Sequence, residues 1–433
     1  KRIMFKALYY NYFFLLFFLF CLCCTTPAYS QGITDEAQRI YRDSQNSVYQ
    51  IQVIDLATGK KSSIGSGFQF TAEGHIATNY HVVGNAVQKP ERYRIESINF
   101  QGDIATHSLV AVDVVHDLAI LRGETAGESF LELGDTQYDK GASIFTMGNP
   151  YDLGMTIVEG IFNGLMEKSL YQKILFSGSI NSGMSGGPAM GVNGKVMGVN
   201  VSTQGNQISF LVPVAYLQEL FENSNVNVEP GDKDWFEIIE TQLKDNQDKY
   251  MKEILENEWD TITVGEAKVP GEISSIMKCW GDSENNPKVL FELAYVYCSL
   301  EDDIFIHDNL VTGSLEYRYN WMTSKGLGPT RFYNQFENYF AYEREFKNAL
   351  DEADVNNFEC TTNFVEIDGA DFKISMCTRK YLRYPALFDL NLSLASVGKK
   401  DRGLIAEVFG YGLTQENIQK FISKFLGEIK WPN

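Results

Sequence analysis

The stretch Gly183-Met184-Ser185-Gly186-Gly187-Pro188 decides how this chain is read. A serine set among glycines sits on a turn with little side-chain bulk to block an approaching group. Gly183 allows the backbone N–H groups of Gly183 and Ser185 to converge on one point, where a developing oxyanion would be held. Gly186 and Gly187 allow close backbone packing behind the serine. Alone, the string is a modest signal, because plain tight turns read the same way. Its weight comes from two motifs upstream.

A serine hydroxyl is a poor nucleophile near neutral pH. It needs an imidazole to accept its proton and a carboxylate to hold that imidazole in the right tautomer. Thr78-Asn79-Tyr80-His81-Val82-Val83 supplies the imidazole, and His116-Asp117-Leu118-Ala119-Ile120-Leu121 the carboxylate. The order His81, Asp117, Ser185 is that of chymotrypsin-like proteases, whereas subtilisins and α/β-hydrolases use other orders.

The flanks add to the pattern. Gly65-Ser66-Gly67-Phe68 opens a strand leading through Gly74-His75-Ile76-Ala77-Thr78 to His81, and Phe145-Thr146-Met147-Gly148-Asn149-Pro150 precedes the serine. Asn193-Gly194 after it reads as a tight hairpin turn. Together these motifs resemble the HtrA/DegP branch of the trypsin-like serine proteases, from about residue 36 to about 223. The resemblance implies two six-stranded antiparallel β-barrels with the active site between them. It implies His81, Asp117 and Ser185 as the catalytic residues and the N–H groups of Gly183 and Ser185 as the oxyanion hole.

By the same similarity, Ser179 marks the base of the specificity pocket. Val201-Ser202-Thr203 forms one wall and Ile208-Ser209-Phe210 the other. No carboxylate stands at these positions, so a buried Lys or Arg of a substrate would lack its counter-charge. Ile208 and Phe210 favour a small or medium apolar residue, although ordinary core packing of Ile208 fits equally well.

The residues agree with an all-β domain. Short apolar runs at Val48–Ile54, Ile76–Asn79, Leu109–Val115, Leu118–Leu121, Ser143–Met147 and Ile208–Val214 are separated by Gly, Asn and Asp turns. A helix is expected around Asp35–Asp43 and a closing helix at Pro213–Phe221. Two departures from animal trypsins stand out. Met184 occupies the place of the aspartate that pairs with a freshly cut N-terminus, and no Ile-Val-Gly-Gly-like start is present. Residues 36–223 also contain no cysteine, so core packing alone must hold them together.

Lys1, Arg2 and Lys6 precede the apolar run Phe13–Cys24, and Pro27-Ala28-Tyr29-Ser30 follows with small residues at its third-last and last positions. Residues 1–30 therefore read as a secretory signal cut after Ser30, with a retained anchor as the alternative. An exported chain, periplasmic or secreted, is expected, without stable membrane insertion once the signal is removed. The formal charge is −19, and losing the three basic residues of the signal makes it more negative still. So acidic a chain should repel nucleic acid.

Asn223–Asp234 is polar, contains Pro230-Gly231, and reads as a linker over 224–234. HtrA-like proteases usually carry PDZ domains next, but no carboxylate-binding loop of that pattern is visible. The second half, 235–433, reads as an α+β domain of unknown function with a faint internal repeat. Cys279 and Cys377 are each followed eight residues later by Pro287 and Pro385, then by Leu290-Phe291-Glu292-Leu293 and Leu387-Phe388-Asp389-Leu390. Each unit ends in Gly328-Pro329-Thr330 or Gly412-Leu413-Thr414, opening a helix. Apolar stripes mark three helices, through Phe236–Ile254, Phe332–Leu350 and Ile418–Phe425. The pattern reads as helix, about four strands, helix, about four strands, helix.

The mature cysteines are Cys279, Cys298, Cys360 and Cys377. If the units are equivalent, only Cys279–Cys298 with Cys360–Cys377 joins consecutive strands within each unit; four free buried thiols are the alternative. His307 stands alone in sequence, His75, His107 and His116 read as surface or strand residues, and no cluster has metal-ligand spacing. No cofactor or metal is implied. The expected activity is a serine endopeptidase acting through an acyl-enzyme on exposed or unfolded segments of exported proteins, with polypeptides as substrates. A protein partner for the C-terminal domain and a homo-oligomer are compatible with this reading. The alternative is a pseudoprotease whose barrels serve as scaffold while the second half binds a partner.

Overall fold

The computed structural model describes residues 33–123, 127, 129–203, 207–224, 233–284, 288–300, 302–341 and 352–431. The expected signal, most of the linker, Pro287, Phe346 and Leu350 lie outside these residues. Helix α1 (Ile33–Ser44) leads into the first barrel. Its strands are β1 (Val48–Asp55), β2 (Lys60–Gln69), β3 (His75–Thr78), β4 (Tyr93–Ile98), β5 (Ile104–Asp113) and β6 (Leu118–Gly123), with helix α2 (Tyr80–Gln88) between β3 and β4. They close in the order β1-β2-β3-β6-β5-β4.

The second barrel contains β7 (Ser143–Gly148), β8 (Thr156–Leu165), β9 (Ile174–Ser177), β10 (Pro188–Gly191), β11 (Val196–Thr203) and β12 (Ser209–Pro213), closed in the order β10-β11-β12-β9-β8-β7. Helix α3 (Val214–Asn223) follows it. Val214 and Leu217 of α3 share a buried cluster with Phe68, Val110 and Phe145, so this helix packs where the barrels meet. These two closed barrels are the chymotrypsin-like fold.

Beyond them lies a C-terminal domain of strands and helices. Helix α4 (Trp235–Glu256) starts at Asp234, whose carboxylate accepts from the N–H groups of Phe236 and Glu237. Next come β13 (Thr261–Val264), β14 (Ala267–Pro270), β15 (Lys278–Glu284), β16 (Phe291–Ser299), β17 (Ile304–His307), β18 (Leu310–Thr312) and β19 (Leu315–Ser324), then helix α5 (Pro329–Phe340). The chain ends with β20 (Glu359–Ile367), β21 (Ala370–Lys380), β22 (Phe388–Ser396), β23 (Arg402–Leu413) and helix α6 (Gln415–Glu428). The first run thus has more strands than the expected four, because β13–β14 and β17–β18 form separate hairpins off the main sheet.

That sheet is antiparallel, in the order β15-β16-β19-β23-β22-β21-β20. About the β19–β23 pair, β16 lies opposite β22 and β15 opposite β21, the strands that carry the two Leu-Phe-x-Leu motifs and Cys279 and Cys377, while β20 is an additional edge strand beyond β21. Helix placement breaks the symmetry. Phe425 of α6 stacks on Tyr319, which lies across from Ala406, whereas Phe336 of α5 packs over Gly403, across from Met322. Residues 319 and 322 face opposite sides of a strand, so the two helices cover opposite faces. Disulfides Cys279–Cys298 and Cys360–Cys377 tie each edge strand to its neighbour.

The core does not stop at the domain boundary. One buried cluster combines Tyr80, Val82, Val83, Leu109, Val112 and Val114 of the first barrel with Ile239, Leu243, Ile304, Ile306, Leu310, Tyr384 and Leu387 of the C-terminal domain.

Candidate active site

His81 and Asp117 meet because two local structures place them together. Asn79 is the N-cap residue of α2, which puts His81 in the first turn, where backbone N–H groups lack helical partners. Asp117 occupies the turn between β5 and β6 with φ +56°, a left-handed conformation that a short polar residue tolerates better than most. The Asn79 side chain donates from Nδ2 to the Asp117 carbonyl at 2.7 Å and so holds that turn. The Asp117 carboxylate then accepts twice from His81, from the backbone N–H at 2.8 Å and from Nδ1 at 2.6 Å. That hydrogen bond puts the proton on Nδ1 and leaves Nε2 free to accept one. Burial by itself pushes the His81 imidazole down; the charge and hydrogen bond of Asp117 outweigh it, and the net movement is upward from the ordinary value.

Ser185 lies on a loop held by the first barrel as well as its own. Ser66, on β2, donates from its N–H to the Ser185 carbonyl and from Oγ to the Gly183 carbonyl, both at 2.7 Å. Ser66 Oγ also accepts from the Asn149 N–H at 3.0 Å. Asn200 Nδ2 donates to the carbonyls of Met147 and Met184. Gly183 and Gly186 have φ +94° and +85°, and a Cβ at either would strike backbone, of Asn149 or Ser66 respectively. The N–H groups of Met184, Gly186 and Gly187 are used within this framework. Among the described residues, those of Gly183 and Ser185 donate to no protein acceptor. The Ser185 hydroxyl donates to the Val201 carbonyl at 3.1 Å.

The residues expected to form the pocket lie on β11, β12 and the segment after β9. Ser202 is paired with Phe210 and Thr203 with Ser209 on adjacent strands. Ser209 Oγ donates to the Gly178 carbonyl at 2.7 Å and accepts from the Ile180 N–H at 3.3 Å, which brings Ser179 beside them. Ser179 and Thr203 are exposed, while Val201 and Phe210 are half-buried. Ile208 is 47% exposed, so the core-packing alternative does not apply to it.

The other histidines are more engaged than their sequence suggested. His116 is half-buried, hydrogen-bonded to Asp113 at 2.6 Å and stacked on Tyr216. His307, which stands alone in sequence, faces Asp354 at 3.1 Å, because the fold brings together residues far apart in the chain. His75 and His107 are strand residues, both buried.

Sequence reasoning missed Ser66, Asn79 and Asn200. Ser66 and Asn79 lie inside motifs quoted for other reasons and Asn200 just before the Val201–Thr203 wall, and the role of each depends on contacts with residues distant in sequence.

Residues 65–199 match the trypsin-like peptidase domain family. Among curated proteins, Protease Do-like 5, chloroplastic, of Arabidopsis thaliana is 29% identical over 40% of this chain and 65% of its own length. Serine protease HTRA2, mitochondrial, of Bos taurus is 34% identical over 42% and 40% respectively. A probable periplasmic serine endoprotease DegP-like of Bartonella henselae is 30% identical over 37% and 33%. This chain thus spans between one third and two thirds of the length of these relatives. The double-barrel segment of this chain is similar to the trypsin-like peptidase domain and to serine proteases of the HtrA/DegP type.

Proposed function

We propose that this protein is a serine endopeptidase in which His81, Asp117 and Ser185 act as the triad. The observation that carries the reading is the double hydrogen bond from His81 to Asp117, which orients the imidazole with Nε2 free. In the proposed reaction Ser185 Oγ attacks the scissile carbonyl as His81 Nε2 takes its proton. The carbonyl oxygen becomes an oxyanion and accepts from the N–H groups of Gly183 and Ser185. His81 then returns the proton to the leaving amine, leaving an acyl-Ser185 ester. Water, deprotonated by His81, hydrolyses that ester and restores the serine.

The substrates in this reading are exposed or unfolded segments of exported polypeptides. The name of the Bartonella relative supports a periplasmic setting, and two disulfides fit an oxidising compartment. No helix among the described residues is long and apolar enough to cross a membrane. Cleavage is expected after small or medium apolar residues, because Ser179 and its neighbours on β11 and β12 offer no carboxylate to a basic side chain. One observation favours the second reading, a non-catalytic scaffold: the Ser185 hydroxyl is turned to the Val201 carbonyl. Such contacts commonly rearrange when substrate arrives.

Incubation of the mature protein with casein, beside a Ser185→Ala control, separates the two. The endopeptidase reading expects fragments from the wild type and a loss of about 10⁴–10⁶ in rate for the variant. Equal rates in both, or no cleavage by either, would remove it. Mass-spectrometric mapping of the fragments tests specificity, and a majority of cuts after Lys or Arg would refute the pocket assignment.

A further inference from the structure

Helix α2 carries His81, yet much of its packing comes from the C-terminal domain. The hairpin β17–β18 lies against it. Tyr80 donates its hydroxyl to the Ile306 carbonyl at 3.1 Å, and Asn85 Nδ2 donates to Asp308 Oδ2 at 2.9 Å. Gly84 lets the hairpin lie close to the helix, since a Cβ there would stand 3.1 Å from the Ile306 carbonyl oxygen and 3.2 Å from the Phe305 ring. At the other end of the helix, Arg383 Nη1 donates to the Gln88 carbonyl at 2.7 Å and Gln88 Nε2 to the Tyr384 hydroxyl at 2.8 Å. A cation at a helix C-terminus is favourably placed.

Within this hairpin, side chains alternate across the strand. Ile304 and Ile306 point into the shared core and are buried. Phe305, between them, is half-buried and stands edge-on to the His81 imidazole, with centroids 6.1 Å apart and planes at 80°. Just before it, Asp302 accepts from Ser169 Oγ and the Leu170 N–H, both at 3.0 Å, and from Lys173 Nζ at 2.6 Å. Those three residues belong to the loop between β8 and β9. The stretch 302–308 therefore touches the barrel that carries His81 and the barrel that carries Ser185.

We propose that Phe305 is a positioning residue for His81, which makes the C-terminal domain a required part of the catalytic unit. The proposal rests on the triad reading above. Asp117 fixes one edge of the imidazole, and an aromatic ring packed beside it restricts swinging of the free Nε2 away from Ser185. Misplacing a reacting group by about 1 Å costs on the order of a hundredfold in rate. A ring that positions the base affects the chemical step more than substrate binding.

The test uses the full mature chain as wild type, Phe305→Ala, Phe305→Leu, Phe305→Tyr and Ser185→Ala. Two readouts are taken: kcat and KM on casein, and the rate at which a fluorophosphonate labels Ser185. Labelling forms an Oγ–P bond and expels fluoride while His81 takes the serine proton, so it reports the base without polypeptide binding. Phe305→Ala is expected to lower kcat and labelling by about ten- to a hundredfold with KM within about twofold. Phe305→Tyr, which keeps the ring, is expected to recover most of both. Should the alanine variant show no cooperative thermal transition, Phe305→Leu carries the test, with the same direction of loss. Wild-type kcat and labelling in the folded Ala or Leu variant overturn the proposal, as does a rise in KM with kcat unchanged. A wild type that neither cleaves nor labels overturns the protease reading and this proposal with it. A working wild type beside an equally fast Phe305→Ala overturns only the proposal.

Discussion

The carboxylate of Asp117 holds His81 at two points, with Oδ1 accepting from the backbone N–H at 2.8 Å and Oδ2 from Nδ1 at 2.6 Å. One side chain thereby supports the first turn of α2 and selects the tautomer of the ring that the turn carries. Position and chemistry of the imidazole are set by the same group.

A pH dependence follows from that pairing. The proposed base works when neutral, and its pKa lies above the ordinary value of about 6.5 because Asp117 outweighs burial. The acid limb of kcat/KM is therefore expected to have its midpoint above about pH 6.5, with activity lost as pH falls through it. Asp117→Asn removes both raising causes and leaves burial, so the residual limb should move to lower pH while kcat drops by about 10⁴. Rate profiles between pH 5 and 9 check both shifts. An upward displacement in the variant would contradict the argument.

Ser66 gives a second expectation. Its hydroxyl joins the Gly183 carbonyl to the Asn149 N–H inside a buried site between the barrels. Ser66→Ala leaves buried polar groups without that partner, at a cost of about 1–3 kcal/mol, and loosens the loop that aims the Gly183 N–H. Activity on casein should fall by about tenfold or more, and the melting temperature should fall with it. A variant matching the wild type in both would show the bridge to be dispensable.

His107 should make the protein sensitive to acid. The residue is 9% exposed, its ring is hydrogen-bonded to Ser97 at 2.7 Å, and burial pushes its pKa down to about 4. Unfolding restores a value near about 6.5, so the unfolded state binds the extra proton between these limits. Stability is fully present above about pH 6.5 and declines as pH falls toward 4, by about 3 kcal/mol in total. Urea unfolding at pH 7 and pH 4.5 should show this loss, and His107→Gln should reduce it. An unchanged pH dependence in the variant would remove His107 as its source.

The shared core leads to a fourth expectation. Tyr80, Val82, Val83, Leu109, Val112 and Val114 share one buried cluster with residues of the C-terminal domain, and Gln242 of α4 exchanges hydrogen bonds with the backbone of Val112 and Val114. A chain ending at residue 224 would expose this face and leave that backbone without its partner. It should be aggregation-prone and inactive, with up to about 1.5–3 kcal/mol lost for each large apolar side chain that becomes exposed. A soluble, active truncated protein would show that the barrels stand alone.

The nucleophile motif was legible locally, because glycines at 183 and 186 are demanded by backbone geometry that only glycine adopts easily. Gly and Asn turns between short apolar runs likewise announced the barrels. Helix α2 was less visible, since it follows β3 at once and its apolar residues face two domains, which blurs any single periodicity.

The sequence by itself determined which chemistry was available and the order in which its parts arrive. It also offered one within-unit pairing of the four cysteines, conditional on equivalent repeat units, and the end pairs β15–β16 and β20–β21 carry that pairing. Tertiary structure alone decided what holds the site. The Ser66 bridge, the Asn79 grip on the Asp117 turn, and Phe305 beside His81 each join residues that local patterning cannot relate. Their positions depend on how barrels, hairpin and sheet pack, and packing is set by the burial of apolar surface drawn from the whole chain.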